Sequence, residues 1–198
     1  MFLLPHSSIE IRDTKTKGRG VFAAKNIPSG TVIGDYLGKV ISIRDYDPQL
    51  ERGMYLMAFG NAAFIYPDMS QPGIYLINHA CRPNAWMYVY RGHTLFFALV
   101  DIASGDEITI SYLLSPMDES CADVCEHVCR CGSLYCRGTM HLSASAYKKW
   151  QAFLLREKRK TSMAPYAAGS YLSKLSSYPV SIPTDPIYEA VMTDKNES

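Results

Sequence analysis

Cysteine carries the clearest chemical signal in this chain. Five of the six cysteines lie close together in the second half of the sequence: Cys121, Cys125, Cys129, Cys131 and Cys136. The spacing Cys129-x-Cys131-x4-Cys136 brings three thiolates near enough to share one ion, and tetrahedral zinc then requires a fourth ligand. By spacing alone, four residues remain open as that ligand: Cys81, Cys121, Cys125 and His127. Free buried thiols are the alternative, but packing alone rarely brings so many cysteines together.

Three other segments carry residues that could serve a binding or catalytic site. The segment 18–23, Gly-Arg-Gly-Val-Phe-Ala, matches a loose dinucleotide-binding pattern, but Pro28 and Gly30 follow too soon for the helix that such a site needs. Its glycines still allow a tight turn or a close backbone approach to a ligand. The segment 78–84, Asn-His-Ala-Cys-Arg-Pro-Asn, is densely polar, and a turn beside a core histidine is its plain structural interpretation. Tyr112 ends a predicted strand, where a tyrosine is ordinarily a packing residue.

Short elements separated by turns must position these residues. Alternating apolar residues and frequent turn signals predict a β-rich fold of small curled sheets. Strands are predicted over residues 9–14, 21–23, 31–36, 40–43, 54–59, 62–66, 86–90, 94–100 and 107–112. Gly60-Asn61 and Arg91-Gly92-His93 are predicted hairpin turns. Residues 145–160 have the apolar spacing of a helix, and the last forty residues are predicted to form an extended arm and a loose tail.

The composition limits what kind of protein this is. The 198 residues are 47% hydrophobic and 20% charged, with a net charge of +1. A chain of this length buries a real core, and its composition argues against global disorder. No apolar run approaches the roughly 18 residues of a membrane span, and the balanced charge gives no global attraction to nucleic acid or to a membrane surface. Because Met1–Pro5 has no secretory leader, we expect an intracellular, reducing location, where clustered thiols favour metal over disulfides.

Five short motifs follow one another along the chain. They are Lys17-Gly-Arg-Gly-Val-Phe22, Tyr36-Leu-Gly38, Asn78-His-Ala-Cys-Arg-Pro-Asn84, Gly105-Asp-Glu-Ile-Thr-Ile-Ser-Tyr112 and Cys129-Arg-Cys-Gly-Ser-Leu-Tyr-Cys-Arg-Gly138. In sequence, order and separation they resemble the SET-domain protein lysine methyltransferases, over about residues 8 to 140. The resemblance implies a mostly β SET-domain fold of small curled sheets with a pseudo-knot, followed by a zinc-binding segment and a helix.

The resemblance further implies transfer of a methyl group from S-adenosylmethionine to a lysine amine. Six residues match the cofactor contacts of the family: Lys17, Gly18, Arg19, Tyr55, Asn78 and His79. Tyr112 matches the catalytic tyrosine at the methyl-transfer site. Ile110 lacks the hydroxyl that some members carry at its position, which favours the addition of more than one methyl group. Because a free lysine has a pKa near 10.4, a dry channel and the sulfonium charge must favour its neutral form.

A structural zinc ion also follows from the resemblance, which selects Cys81 as the fourth ligand. The full ligand set is then Cys81, Cys129, Cys131 and Cys136. Cys121 and Cys125 are left over, either as buried thiols or as a second partial site. The chain departs from the usual family residues at three positions, Tyr75, Ala80 and Ser111. None of these departures removes a cofactor or metal contact, but they blur the subfamily.

The expected function is therefore that of a protein lysine N-methyltransferase acting on a histone tail or a similarly basic segment. We expect a SET domain over residues 1–114, a post-SET zinc-binding segment over 115–140, and a C-terminal helix and extended tail over 141–198. Four acidic residues are expected to line the peptide groove: Asp45, Asp47, Glu51 and Asp68. No direct nucleic-acid binding and no membrane partner are expected. A histone substrate places the protein in a nucleus, its own or that of a host.

Two other functions fit the same residues. A catalytically inactive SET fold could act as a peptide-binding module, which would bind the cofactor without transferring its methyl group. A zinc-stabilised interaction protein would bind no cofactor at all.

Overall fold

Ten short strands and one long helix make up the regular structure of the described residues. The computed structural model describes residues 1–46, 55–59, 63–117, 125–160 and 169–182, with the backbone alone for 156–160. The strands are β1 (Ile9–Asp13), β2 (Arg19–Ala23), β3 (Val32–Asp35), β4 (Gly38–Ser42), β5 (Met57–Phe59), β6 (Ala63–Pro67), β7 (Asn78–His79), β8 (Ala85–Tyr90), β9 (His93–Ala98) and β10 (Glu107–Ile110). The helix is α1 (Ala144–Lys160), and single 3₁₀ turns occur at His6–Ser8 and Ile74–Leu76.

The strands form three small sheets rather than one large sheet. The first sheet has the order β1-β2-β10-β7, the second β3-β9-β8 and the third β4-β6-β5. The predicted mostly β fold of small sheets is therefore confirmed. The bounds of the predicted strands differ from the observed ones by a few residues at most, as is usual for element ends.

A short parallel pairing in the first sheet joins distant parts of the chain. Thr109 and Ile110 of β10 pair with Asn78 and His79 of β7, while β10 also pairs antiparallel with β2. The side chain of Asn84 fastens the connection, because its Nδ2 donates to the carbonyl of Glu107 (2.9 Å) and its Oδ1 accepts from the backbone N–H of Thr109 (2.8 Å). This parallel pairing is the contact that the expected pseudo-knot requires, and it places β7 beside the strand that leads to Tyr112.

The hairpin of β8 and β9 follows directly from its turn residues. Tyr90 pairs with His93 across a two-residue turn in which Arg91 has φ 48° and Gly92 has φ 79°. Two successive positive φ values are the signature of the type I′ turn, whose twist matches that of paired strands. The other predicted hairpin turn, Gly60-Asn61, lies outside the described residues, although the strands on either side of it, β5 and β6, do pair.

Helix α1 covers one face of the second sheet. The ring of Trp150 meets the fully buried Trp86 edge to face, with centroids 6.1 Å apart, and stacks on Phe153. The helix begins at Ala144, one residue before the predicted start, because the Ser143 hydroxyl accepts a hydrogen bond (3.2 Å) from a backbone N–H of the first turn and so caps it. Within the described residues, no helix is both long and apolar enough to cross a membrane.

The C-terminal arm, defined here as residues 169–182, packs along two of the sheets. Tyr171 bridges to Lys39 of β4, and Ser181 bridges to Thr31 just before β3. Leu172 and Ile182 are buried. The arm contributes to the core rather than lying free on the surface.

Candidate active site and metal clusters

The turn between β1 and β2 carries the first three predicted cofactor residues. The backbone N–H of Thr14 donates to the Gly18 carbonyl (2.7 Å), and the backbone N–H of Lys17 donates to the Thr14 hydroxyl oxygen (2.9 Å). Gly18 has φ +68°, a conformation that side chains rarely adopt, and a Cβ built on it would meet no atom within 4 Å. These two hydrogen bonds fix the conformation of the turn, and the space beside Gly18 is open to a ligand.

Glu107 links this turn to the predicted cofactor residue Asn78. One carboxylate oxygen accepts from the Lys17 ammonium (2.6 Å) and the other accepts from the Asn78 amide (2.9 Å). The same amide group donates to the Arg19 carbonyl at 3.1 Å. Gly20 allows this packing, because a Cβ there would lie within 2.9 Å of side-chain atoms of Glu107, Asn78 and a neighbouring threonine. Four of the six predicted cofactor residues therefore lie in one hydrogen-bonded group.

His79 connects Tyr112, the predicted catalytic tyrosine, to the cysteine cluster. Burial, reinforced by the positive charges of Arg137 and Lys17, lowers the pKa of His79 to about 4, so the ring is neutral at pH 7. Its Nδ1 accepts from the backbone N–H of Tyr112 (3.1 Å), which leaves the ring proton on Nε2. Nε2 lies 3.7 Å from Cys81 Sγ and donates to it. The tautomer of His79 is thus fixed by one contact on each side.

Tyr112 lies at the edge of a group of tyrosines that pack on the core. Its hydroxyl donates to the Ile77 carbonyl (3.3 Å), and its ring meets the ring of His79 edge to face at 5.3 Å. Burial raises the pKa of Tyr112 to about 12, so the phenol keeps its proton at neutral pH. Tyr55, the sixth predicted cofactor residue, is near enough to contribute to this shift, and its ring packs edge to face on Tyr75.

Tyr36 contacts two residues of the predicted site, although the sequence analysis gives it no role. Its hydroxyl donates to the backbone carbonyl of Tyr55 (2.5 Å), and its pKa is raised by burial and by the nearby phenol of Tyr112. The Tyr36-Leu-Gly38 motif is the sequence signal for this residue. The sequence likewise indicates no role for Glu107, since it lies inside one of the five motifs but its bonds to both halves of the site appear only in three dimensions.

The predicted zinc ligands do come together. Cys81, Cys129, Cys131 and Cys136 place their sulfur atoms within 4.8 Å of one another, with Cys81 Sγ and Cys129 Sγ 3.6 Å apart. Four thiolates about 2.3 Å from one tetrahedral ion would have sulfur atoms about 3.8 Å apart, so the cluster fits zinc. Burial raises the pKa of both the Cys81 and Cys129 thiols, and a cation is the partner that would hold buried thiolates together.

Two arginines attach this cluster to the 78–84 segment. The backbone N–H of Arg137 donates to Cys81 Sγ (3.4 Å), and the guanidinium of Arg82 lies 3.5 Å from the centre of the Tyr135 ring. The cysteine-rich segment is therefore fixed beside His79 and Tyr112 rather than hanging from the end of the domain.

The remaining predicted residues have simpler surroundings. Ile110 is buried and pairs with His79. Asp45 and Asp68 are exposed, whereas Asp47, Glu51 and Cys121 lie outside the described residues. Cys125 contacts two histidines, His127 and His141.

Comparison with known proteins gives a consistent result. The SET domain family matches residues 18–113. Mouse histone-lysine N-methyltransferase SETD2 is 30% identical over 146 residues, 67% of this chain and 6% of that protein. An H3 lysine-36 specific histone-lysine N-methyltransferase of Candida albicans is 33% identical over 120 residues, 54% of this chain and 14% of that protein. The chain thus spans a small part of the length of these curated relatives.

A solved structure shares the fold. It is a crystal structure of KRYPTONITE in complex with mCHH DNA, H3(1-15) peptide and SAH, with a TM-score of 0.55, 23% sequence identity and coverage of 67% of this chain and 29% of that chain. Residues 18–113 are therefore a SET domain, and the cysteine cluster after them fits a post-SET zinc site.

Proposed function

We propose that this protein is an S-adenosylmethionine-dependent protein lysine N-methyltransferase. The observation that carries the proposal is the continuous group of contacts from the Gly18 turn through Glu107 to Asn78, and from the neighbouring His79 to the partly buried phenol of Tyr112. A cofactor cradle and a phenol that adjoin in this way are what a methyl transfer between two bound molecules requires.

Six residues would hold the cofactor: Lys17, Gly18, Arg19, Tyr55, Asn78 and His79. When bound, S-adenosylmethionine supplies a methyl group on a positively charged sulfur. The open outer side of the Gly18 turn and the polar groups around Asn78 suit a polar, charged ligand. Because His79 is neutral, it adds no positive charge to repel the sulfonium.

Tyr112 would position the target amine. Its hydroxyl donates a hydrogen bond to the Ile77 carbonyl, so the phenol oxygen can accept a hydrogen bond from a second group. An N–H of a neutral lysine amine is a suitable donor to that oxygen. The amine must arrive without its third proton, and burial around Tyr112 favours the neutral form.

A structural zinc ion in the four-cysteine cluster would hold the post-SET segment against the site. Its four thiolates leave no open coordination position, so the ion would take no part in the chemistry. Removal of the ion is then expected to detach the cysteine-rich segment from residues 78–84, which it contacts through Arg137 and through the Arg82–Tyr135 stacking.

The proposed substrate is a basic protein segment, with a histone tail as the first candidate. Two relatives, at 30% and 33% identity, are named as histone-lysine methyltransferases, and exposed Asp68 and Asp45 offer negative charge to such a segment. Ile110 has no hydroxyl with which to hold a water molecule beside the amine, which supports the addition of more than one methyl group. A histone substrate would place the protein in a nucleus.

The test is transfer of a labelled methyl group from S-adenosylmethionine to a histone-peptide array by the full chain. We expect transfer by the wild type, loss of at least about 100-fold in kcat for Tyr112→Phe, and normal activity for the control Tyr171→Phe, whose ring is exposed. Mass spectrometry of the product counts the methyl groups. Tight binding of cofactor and peptide without transfer would contradict the proposal and indicate a binding module instead.

A further inference from the structure

We propose a second metal site, formed by Cys125, His127 and His141 and separate from the four-cysteine cluster. The three ligand atoms lie within 4.8 Å of one another. Cys125 Sγ is 3.2 Å from His141 Nε2 and 3.6 Å from His127 Nδ1. A tetrahedral zinc ion about 2.3 Å from sulfur and about 2.0 Å from nitrogen would separate such atoms by about 3.5 Å, which agrees with both distances.

His141 has the contact that fixes a metal-binding histidine. This ring is buried, and its Nδ1 lies 2.5 Å from the backbone carbonyl of Ser115. A carbonyl can only accept, so the ring proton is on Nδ1, and Nε2 presents a bare lone pair toward Cys125. Histidine ligands of metals donate a hydrogen bond from their second ring N–H in this way, which sets their tautomer and orientation.

A single metal ion would engage all three ligand atoms of the cluster. Hydrogen bonding alone would require the Cys125 thiol to donate to His141 Nε2 and at the same time to accept from a protonated His127 Nδ1. The rings of His127 and His141 also approach each other edge to face, with centroids 5.0 Å apart. A cation would satisfy the thiolate and both nitrogen lone pairs at once. Mixed sulfur and imidazole ligands suit Zn²⁺, and one coordination position is left for water or another ligand.

The two clusters lie at the same short ladder of the post-SET segment. Val128 pairs with Thr139, the backbone N–H of Met140 donates to the His127 carbonyl, and that of Cys129 donates to the Gly138 carbonyl. Cys129 belongs to the four-cysteine cluster, whereas His127 belongs to the second site. Two ions would therefore stabilise the same short pairing of residues 127–129 with residues 138–140.

The second ion would also stabilise the segment of chain that follows Tyr112. His141 pairs with Leu114, and the backbone N–H of Leu142 donates to the Leu114 carbonyl. Together with the Ser115 contact, these bonds join the second site to the chain directly after Tyr112. The second ion would thus brace the chain that follows Tyr112, and the inference does not depend on the proposed methyltransferase activity.

The experiment counts metal ions in the 198-residue chain by atomic emission after purification with zinc and exhaustive dialysis. We expect two zinc equivalents for the wild type, one for Cys125→Ser and two for His6→Ala, a control at an exposed histidine outside the cluster. One equivalent in the wild type, or two in Cys125→Ser, would overturn the proposal. Circular dichroism of each variant checks that it has folded.

A second variant covers the case in which Cys125→Ser does not fold. His127 is exposed, so His127→Ala removes a ligand with little effect on packing. In this variant, the zinc ion at the second site should bind at least about tenfold more weakly, as measured by competition with a chelator. Loss of a residue that only hydrogen-bonds to a metal ligand already lowers metal affinity by about that factor. Cobalt(II) substitution gives an independent reading, because a site with one sulfur and two nitrogens has a weaker thiolate charge-transfer band than a four-thiolate site. Unchanged chelator competition in His127→Ala, or a single cobalt equivalent in the wild type, would refute the second site.

Discussion

Glu107 connects both halves of the proposed cofactor cradle through one carboxylate. Glu107→Gln keeps the shape but gives the side chain an NH₂ group, which must then face either the Lys17 ammonium or the Asn78 amide, both of them donors. Loss of a hydrogen bond to a charged group costs about 1.5–3 kcal/mol. We therefore expect roughly tenfold or greater weakening of S-adenosylmethionine binding in calorimetric titrations, together with a lower free energy of unfolding.

Glu10→Gln is the matched control for that substitution. Glu10 pairs with Arg12 at 3.5 Å, but both side chains are substantially exposed, and pairs of this kind contribute little to stability. Binding should be unchanged in this variant. Equal cofactor affinity in Glu107→Gln and the wild type would show that Glu107 does not organise the cradle.

The pH dependence of the reaction should report the substrate amine rather than Tyr112 or His79. Burial raises the pKa of Tyr112 to about 12 and lowers that of His79 to about 4, so neither group changes its protonation between pH 7 and pH 9. A lysine with a pKa near 10.4 becomes about tenfold more neutral with each pH unit in this range. We expect kcat/KM to rise accordingly.

A peptide whose target amine has a lower pKa, such as one with aminoethylcysteine in place of lysine, provides the comparison. Its profile should shift to lower pH and level off earlier. Identical profiles for the two peptides would assign the pH dependence to the enzyme and contradict the expected role of the amine.

At the scale of elements, β2 must approach β7 and β10 closely enough for their side chains to meet. Gly20→Ala in β2 would place a Cβ 2.7 Å from the Glu107 carboxylate and 2.8 Å from the Asn78 amide. Both groups would have to move, at a cost of about 1–3 kcal/mol. We expect a less stable protein, measured by urea unfolding, whose cofactor affinity is also reduced.

Gly105→Ala separates backbone strain from this steric effect. Gly105 has φ +97°, but a Cβ there meets no atom within 4 Å, so the substitution strains the backbone without displacing the cradle. It should lower stability while leaving cofactor affinity intact. A parallel loss of affinity in both variants would indicate that general destabilisation, not the displaced side chains, weakens binding.

Local signals explain which elements the sequence could predict. The turn at Arg91-Gly92 has the residues that a type I′ hairpin requires, and the helix is marked by the spacing of Tyr147 and Trp150. Contacts between distant segments left no such signal. Asn84 and Glu107 are 23 residues apart, and nothing local indicates that one fastens the other. The sequence alone does not assign the cysteines and histidines to two separate metal clusters, because only the fold places His141 beside Cys125.

At the scale of the whole molecule, the C-terminal arm closes over a buried polar group. Asp35 is fully buried at the end of β3, and its Oδ2 lies 2.7 Å from His93 Nδ1. The hydroxyl of Tyr178 in the arm donates to the same oxygen (2.9 Å) and accepts from the backbone N–H of Leu175 (3.1 Å). A buried carboxylate needs such partners, so the arm contributes to the stability of the SET fold although it lies beyond the residues that match the family.

Tyr178→Phe tests this dependence, because it removes one hydroxyl and leaves the ring in place. Losing a donor to a buried carboxylate should cost about 1.5–3 kcal/mol, or roughly 3–12 °C in Tm for a chain of this size. Tyr171→Phe in the same arm is the control, since its ring is 67% exposed and its loss of a hydroxyl should change Tm by less than about 2 °C. Equal Tm values for the two variants would mean that the arm rests on the domain without supporting it. A selective drop for Tyr178→Phe would instead make the arm part of the folding unit, because only a packed arm can hold its hydroxyl against a carboxylate that water does not reach.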